Sequence, residues 1–361
     1  MTNAIRKNEK VISKIDTKKN YNCVDLFKLI AALLIVFYHA NELRELMPNL
    51  LNYSFSGFAV PFFFIASGFF FKIGLDKKND RKEKFKYFCD YEKKLLLIYL
   101  IWSLVNLPFI LVRYNSMYEG ASFLKLTALI LRRYLLCGSG VIWYILSMAE
   151  AAAVIYLLDK FKRKYLLYIL IILGLFLCLC YDAFDKVLIN TPLGLVNKVF
   201  YNVFSWSNNF IMKAIPYMGI GYLMVNIKNK FSLPALWISF IFFSILSVLS
   251  FFAYDLTKLN IFSVISFGPI ISIIQAVLFF LLAININLKI STKLAVIFRE
   301  LSSSIYFLHT YFIYYVSDIL FGIDLPFILK VSFSVICSAL VYAVAKKIKF
   351  KPLMIALNIK Y

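Results

Sequence analysis

Long apolar runs alternate along the chain with short polar connections that are rich in lysine. Ten of these runs are long enough to cross a bilayer as helices, because a transmembrane helix needs about 20 mainly apolar residues. A weaker run at 121–137 carries Lys125, Arg132 and Arg133 among its leucines, which predicts a re-entrant or interfacial helix. The pattern therefore predicts an all-α polytopic membrane bundle. The predicted spans are 24–43, 55–74, 93–113, 141–158, 165–181, 209–226, 233–254, 261–284, 302–321 and 325–345.

Lysine and arginine are concentrated in the even-numbered connections and at both ends of the chain, apart from a basic stretch within 114–140. An excess of positive charge marks the cytoplasmic side of a membrane protein. Both termini are therefore predicted to be cytoplasmic, as an even number of spans requires. This divides the chain into a basic cytoplasmic tail at 1–20, a transmembrane domain at 21–345 and a second basic cytoplasmic tail at 346–361.

Composition supports this class. The 361 residues are 62% hydrophobic, with a mean hydropathy of +0.79, which excludes a soluble globular domain of this size. The net charge of +21 comes from lysines in short loops, so it indicates a lipid bilayer as partner and no nucleic acid. The first apolar run is too long for a signal-peptide core, and no small-residue cleavage site follows it, so it predicts a retained helix in the cell membrane. With two histidines and no metal-like cysteine spacing, no metal is expected.

The first span carries an unusual set of polar residues. Lys28 lies eleven residues before His39, which is about three helical turns and places the two side chains within about 20° of one face. Asp25 and Glu42 fall near the same stripe. Ionisable side chains are costly in lipid and usually mark a functional site.

These residue types suggest roles for the stripe. A neutral His39 imidazole can act as a general base on an acceptor hydroxyl, with Glu42 orienting the ring. Lys28 can bind an anion such as a phosphate of a cytoplasmic cofactor. Structural alternatives stay open: His39 as a helix–helix hydrogen bond, Lys28 extending to the headgroups, and Asp25 pairing with Lys28 three residues on.

The second histidine, His309, lies in the ninth predicted span. If that span enters the membrane near Ser302, His309 lies roughly 10 Å inside, against roughly 6 Å for Lys28 and 22 Å for His39. The two histidines are therefore predicted to be stations along one path across the bilayer and not a pair in direct contact. His309 belongs to the donor side in this prediction, and a structural role is its alternative.

Two aromatic segments have both structural and functional interpretations. Trp143 and Tyr144, at the outer end of the fourth span, fit an aromatic belt and equally fit the floor of a sugar site. The run from Pro61 to Phe69 contains the small pair Ser67-Gly68, which permits close helix approach. Ser67 is a weak candidate nucleophile, because no base lies near it in sequence.

Six motifs in order resemble those of the integral-membrane acyltransferase-3 proteins, and the likeness covers most of the chain. The first is a basic residue, ten positions and a histidine, here Lys28 and His39, with Lys where the family usually has Arg. The second-span motif ends in Ser-Gly-Phe, and the third span has a basic start at Lys93-Lys94. The others are Ile142-Trp143-Tyr144-Ile145, Pro216 to Tyr222, and Ser304 to His309.

The resemblance implies transfer of an acyl group, commonly acetyl, from cytoplasmic acyl-CoA to a hydroxyl of a carbohydrate or a cell-wall or lipid-linked acceptor outside. It implies that His39 is the catalytic histidine and Lys28 its basic partner. On this view the donor phosphates lie near Lys28, Lys93 and Lys94. Separately from the resemblance, Arg132 and Arg133 on the weaker run are expected to form a clamp for the acceptor or the donor substrate. The chain acts directly or with a separate partner, such as a second copy or a component of an envelope-polymer machinery.

Other functions share the same features. A flippase or transporter of a cell-envelope glycolipid also has many spans and buried charges, but needs no acyl-CoA. A non-catalytic assembly or sensor component would tolerate the loss of His39. The identity of the acceptor and of the acyl group stays open.

Overall fold

The computed structural model describes residues 21–40, 57–138, 140–204, 207–227, 231–257, 265–314 and 326–360, and within these ranges it is helical without strands. The helices are α1 (Asn22–Ala40), α2 (Ala59–Asp76), α3 (Arg81–Met117), α4 (Phe123–Arg132), α5 (Trp143–Lys160), α6 (Lys164–Asp182), α7 (Asp185–Leu188), α8 (Pro192–Phe204), α9 (Ile215–Met224), α10 (Leu233–Thr257), α11 (Phe267–Asn285), α12 (Thr292–Thr310), α13 (Phe327–Ile348) and α14 (Lys351–Ala356).

In the described ranges, eight helices are long and apolar enough to cross a membrane, namely α1, α2, α3, α5 with the turn before it, α6, α10, α11 and α13. The predicted class, a polytopic helical bundle, is confirmed. The sixth predicted span corresponds to a shorter apolar helix, a π-helical turn at Phe210–Ala214 that continues into α9. The ninth overlaps α12, and the last part of that predicted span lies outside the described residues.

Helix α12 lies beside α1, and their first residues are tied together. Asn22 Nδ2 donates to the Ile290 carbonyl oxygen at 2.7 Å. Cys23 Sγ lies 3.8 Å from the Leu288 carbonyl oxygen. Further along, small and branched residues of both helices form one buried cluster that includes Ala32, Val36 and Ile305. The two helices therefore start at the same end of the bundle and run in the same direction.

Helices α2 and α9 cross unusually closely because each offers a glycine at the contact. A Cβ atom on Gly68 would lie 1.9 Å from the Met218 carbonyl oxygen, and one on Gly221 would lie 1.9 Å from that of Ile65. No side chain fits at either place. The close approach predicted from Ser67-Gly68 is confirmed, and it fixes α2 in the centre of the bundle.

The residues after 345, predicted as a basic tail, form a folded segment. Lys349 adopts a left-handed backbone with φ of +54° and turns the chain away from α13. Helix α14 follows, and Ala356, Leu357 and Ile359 are buried. Trp102 Nε1 in α3 donates to the Ala356 carbonyl oxygen at 2.8 Å, which anchors the segment to the bundle.

Candidate functional site

His39 and His309 lie side by side, with ring centroids 5.1 Å apart. The prediction of two separate stations is therefore wrong. Helix α12 begins at Thr292, ten residues before the membrane entry assumed from the sequence. Both histidines stand seventeen residues after the start of their helix, which is about 26 Å of rise. Because the two starts are tied together, equal register brings the two rings to the same depth.

The His309 ring is fully buried, and its two nitrogens differ. Nδ1 lies 3.0 Å from the Ile305 carbonyl oxygen. A carbonyl oxygen only accepts, so Nδ1 donates, and the neutral ring carries its lone pair on Nε2. Nε2 is buried and has no hydrogen-bond partner among the described residues. The fold thus holds a buried ring nitrogen that is able to accept a hydrogen bond.

His39 is partly exposed, in contrast to its neighbour. Tyr38 and Tyr314 flank its ring at centroid distances of 4.9 and 6.5 Å. The Tyr314 hydroxyl donates to the His39 carbonyl oxygen at 3.0 Å, which ties the end of α1 to the turn after α12. Glu42, the predicted partner of His39, lies outside the described residues.

A line of aromatic rings leads from His309 to the start of α5. Tyr306 lies next to His309 at 6.2 Å and next to Tyr144 at 5.5 Å, centroid to centroid. The Tyr144 hydroxyl reaches Ser67 Oγ at 3.2 Å. Tyr144 is therefore linked through Tyr306 to the histidine pair. Trp143 packs instead against Phe64 at 5.8 Å.

The other end of α1 carries a charged cluster that we call the Lys28 end. Lys28 Nζ forms an ion pair with Asp25 Oδ1 at 3.1 Å. Arg299 Nη1 of α12 reaches Asp25 Oδ2 at 3.7 Å. Lys28 also lies over the Phe70 ring at 5.0 Å. The pairing of Asp25 with Lys28, left open as an alternative, is confirmed, and one carboxylate holds two cations.

Lys93 and Lys94 are exposed near the same end, on α3. The Lys94 ammonium is subject to repulsion from Lys360, Arg299 and Lys28. The positive charges near Lys94 thus come from three other parts of the fold, namely α1, α12 and the residues after α14. About 16 Å of helix separates Lys28 from His39, so the charged cluster and the histidine pair are two distinct parts of one site.

The predicted substrate clamp is not part of this arrangement. Arg132 Nη1 donates to the Asn202 carbonyl oxygen at 2.5 Å, and the neighbouring Cys137 thiol lies 3.7 Å from the Val203 carbonyl oxygen. These contacts dock the α4 segment on α8. Among the described residues, no contact brings Arg133 to the histidines. The role of both arginines in substrate binding stays a prediction.

The sequence analysis did not predict three ion pairs that the structure contains. Buried Glu300 pairs with Lys346 Nζ at 2.8 Å. Lys213 pairs with Asp182 at 2.6 Å, and Lys72 pairs with Asp76 at 2.6 Å. Only the last had a sequence signal, the four-residue spacing on one helix. Partners on different spans carry none. No group of three or more His, Cys, Asp or Glu side chains suited to a metal lies within the described ranges.

Comparison with known proteins identifies the family. A model of the acyltransferase domain of acyltransferase-3 proteins matches residues 21–345. A serine/alanine racemase of Enterococcus gallinarum is 34% identical over 88 residues, which is 24% of this chain and 12% of that protein. The chain thus spans about one eighth of that relative. No solved structure matches significantly. The chain belongs to the acyltransferase-3 family.

Proposed function

We propose that the protein transfers an acyl group from acyl-CoA to a hydroxyl of a carbohydrate or lipid-linked acceptor, with His39 as general base. The observation that carries this proposal is the contact of His39 with His309 on two parallel helices whose other end is cationic. The acidic phosphates of the donor match the Lys28 end. The arm between its phosphates and its thioester would lead toward the histidines.

His39 and His309 have different roles in this proposal. The partly exposed His39 ring accepts the proton of the acceptor hydroxyl while the oxygen attacks the thioester carbonyl. The tetrahedral intermediate then collapses, the carbon–sulfur bond breaks, and the imidazolium returns its proton to the leaving thiolate. His309 Nε2 is unpartnered, and its ring lies beside the His39 ring. In the proposed reaction the His39 ring turns to donate a hydrogen bond to this nitrogen, which then orients the general base as the third group of a catalytic triad does.

The acceptor side is proposed to be extracytoplasmic, in the cell membrane of a bacterium, with acetyl as the first acyl group to test. The distribution of lysine and arginine along the sequence supports this sidedness, because it predicts a cytoplasmic N-terminal tail and hence a Lys28 end that faces the cytoplasm. An acyl-histidine intermediate is an alternative route that uses the same two rings. In that route His39 attacks the thioester carbonyl, the carbon–sulfur bond breaks and CoA leaves as its thiol. The acceptor hydroxyl, or water, then attacks the acyl-imidazole, and the acyl–nitrogen bond breaks to restore His39.

The test is transfer of a labelled acetyl group by the purified protein in detergent. Wild-type protein should release CoA when acetyl-CoA and an envelope glycan are both present. His39→Ala should lose this turnover, whereas Ile30→Ala, on the exposed side of the same helix, should keep it. Translocation of a glycolipid without release of CoA from any acyl-CoA would favour the flippase alternative. Mass spectrometry of envelope glycans from cells with and without the protein would identify the acceptor.

A further inference from the structure

The folded C-terminal segment, residues 351–360, reaches the Lys28 end from outside the matched acyltransferase domain. Its last described residue, Lys360, donates its backbone N–H to Glu300 Oε1 at 3.0 Å. Glu300 is buried and also pairs with Lys346 at 2.8 Å, so its charge is already matched. The Lys360 side chain remains exposed. The segment is thus held by its backbone while its cation stays available.

The fold places four cations together at this end. Lys28, Lys94, Arg299 and Lys360 come from α1, α3, α12 and the C-terminal segment. Lys28 and Arg299 share the Asp25 carboxylate, and the Lys360 backbone bonds to Glu300, the neighbour of Arg299 in sequence. The charges of Lys28, Arg299 and Lys360 all repel the Lys94 ammonium. Among the contacts of the described residues, Asp25 is the one carboxylate that neutralises part of this set. Like charges that a fold brings together without matching acids repel one another, and a polyanion relieves that repulsion.

We propose that the C-terminal segment completes the donor site, and that Lys360 and Arg299 bind phosphate oxygens of CoA together with Lys28 and Lys94. This inference rests on the proposed function, in which acyl-CoA is the donor. The acceptor hydroxyl carries no charge, so the donor is the reactant that a cluster of this sign selects. A phospholipid headgroup offers the same phosphate chemistry, and the test separates the two.

The experiment uses full-length protein in neutral detergent and titrates it with CoA by isothermal calorimetry. Lys360→Gln should weaken CoA binding by about three- to tenfold, the usual effect of losing one charged contact with phosphate. Lys360→Arg keeps the charge and should bind CoA at least as tightly as the wild type does. Lys347→Gln, at an exposed lysine near the end of α13, is the matched control and should leave the affinity unchanged.

Three other results would overturn the inference in distinguishable ways. In the first, the wild-type protein transfers acetyl groups, and Lys360→Gln binds CoA as tightly as the wild type does. That result would exclude the C-terminal segment from the donor site and leave the proposed function intact. An affinity for phosphatidylglycerol micelles that depends on Lys360, with no such dependence for CoA, would assign the cluster to lipid. Wild-type protein that neither binds CoA nor transfers from any acyl-CoA would overturn the proposed function and this inference with it.

Discussion

The rings of His39 and His309 lie 5.1 Å apart although the two residues are separated by most of the chain. One ring is partly exposed and the other is fully buried. Burial next to a carbonyl acceptor fixes the orientation of His309, and contact with His309 in turn restricts the orientation of His39. A general base must hold its geometry to be effective. His309 is too buried to contact a substrate, so its contact with His39 gives it a role: it orients the ring that acts as the base.

The first prediction concerns this pair. His39→Ala should lower kcat by about 10²- to 10⁴-fold, the usual contribution of a general base. His309→Ala should lower it by a smaller factor, because it acts through His39. The double variant should be no slower than His39→Ala alone, since residues that act as a unit are not additive. Single-turnover transfer of acetyl groups would measure all three. Multiplicative losses in the double variant would show that the two rings act independently.

Much of the fold was predictable, because the strongest signal in a membrane chain is the length of its apolar runs. The depth of individual side chains in the membrane was less predictable. The start of α12 at Thr292 is polar in sequence, so hydropathy placed the entry near Ser302 and moved His309 away from His39. The hydrogen bond from Asn22 to Ile290 sets the true register, and a contact across 268 residues leaves no local pattern.

The candidate site shows the same division. The spacing of Lys28 and His39 on one helix was readable from the periodicity of that helix. The ion pair between Arg299 and Asp25 was not predictable from the sequence, because its partners lie on two different helices. The motif containing Tyr144 was visible, yet its link to His309 passes through Tyr306, which only the packed structure reveals. Glu42 stays a prediction.

A second prediction tests the crossing of α2 and α9. Gly221→Ala places a methyl group on the backbone of α2, which cannot yield without moving the helix. Overpacking of this kind costs about 1–3 kcal/mol, so the melting temperature in detergent should fall clearly. Gly219→Ala is the matched control on the same helix, because its Cβ meets the Ile171 side chain, which can shift. Equal melting temperatures for the two variants would contradict this account of the crossing.

A third prediction concerns the basic residue of the first helix. Lys28→Arg should keep kcat and lower the KM for acyl-CoA a few-fold, because a guanidinium binds phosphate with two parallel hydrogen bonds and still reaches Asp25. Lys28→Met should raise that KM without a comparable fall in kcat. Steady-state kinetics with varied donor at fixed acceptor would measure both. A Lys28→Met enzyme with wild-type KM would remove Lys28 from donor binding and leave it as the structural partner of Asp25.

The last prediction tests how the C-terminal segment is held. Lys346→Met removes the charged partner of Glu300, whose side chain is 1% exposed. A buried carboxylate that loses its cation is strongly destabilising, by about 3–5 kcal/mol, although the remaining Tyr342 hydroxyl and Lys360 N–H offset part of this. Lys347→Met, one residue on and exposed, should be neutral. Thermal unfolding in detergent would compare them. Adding Glu300→Gln to Lys346→Met should recover stability, because no buried charge then remains unmatched; a double variant no more stable than Lys346→Met would show that the charge of Glu300 is not what Lys346 compensates.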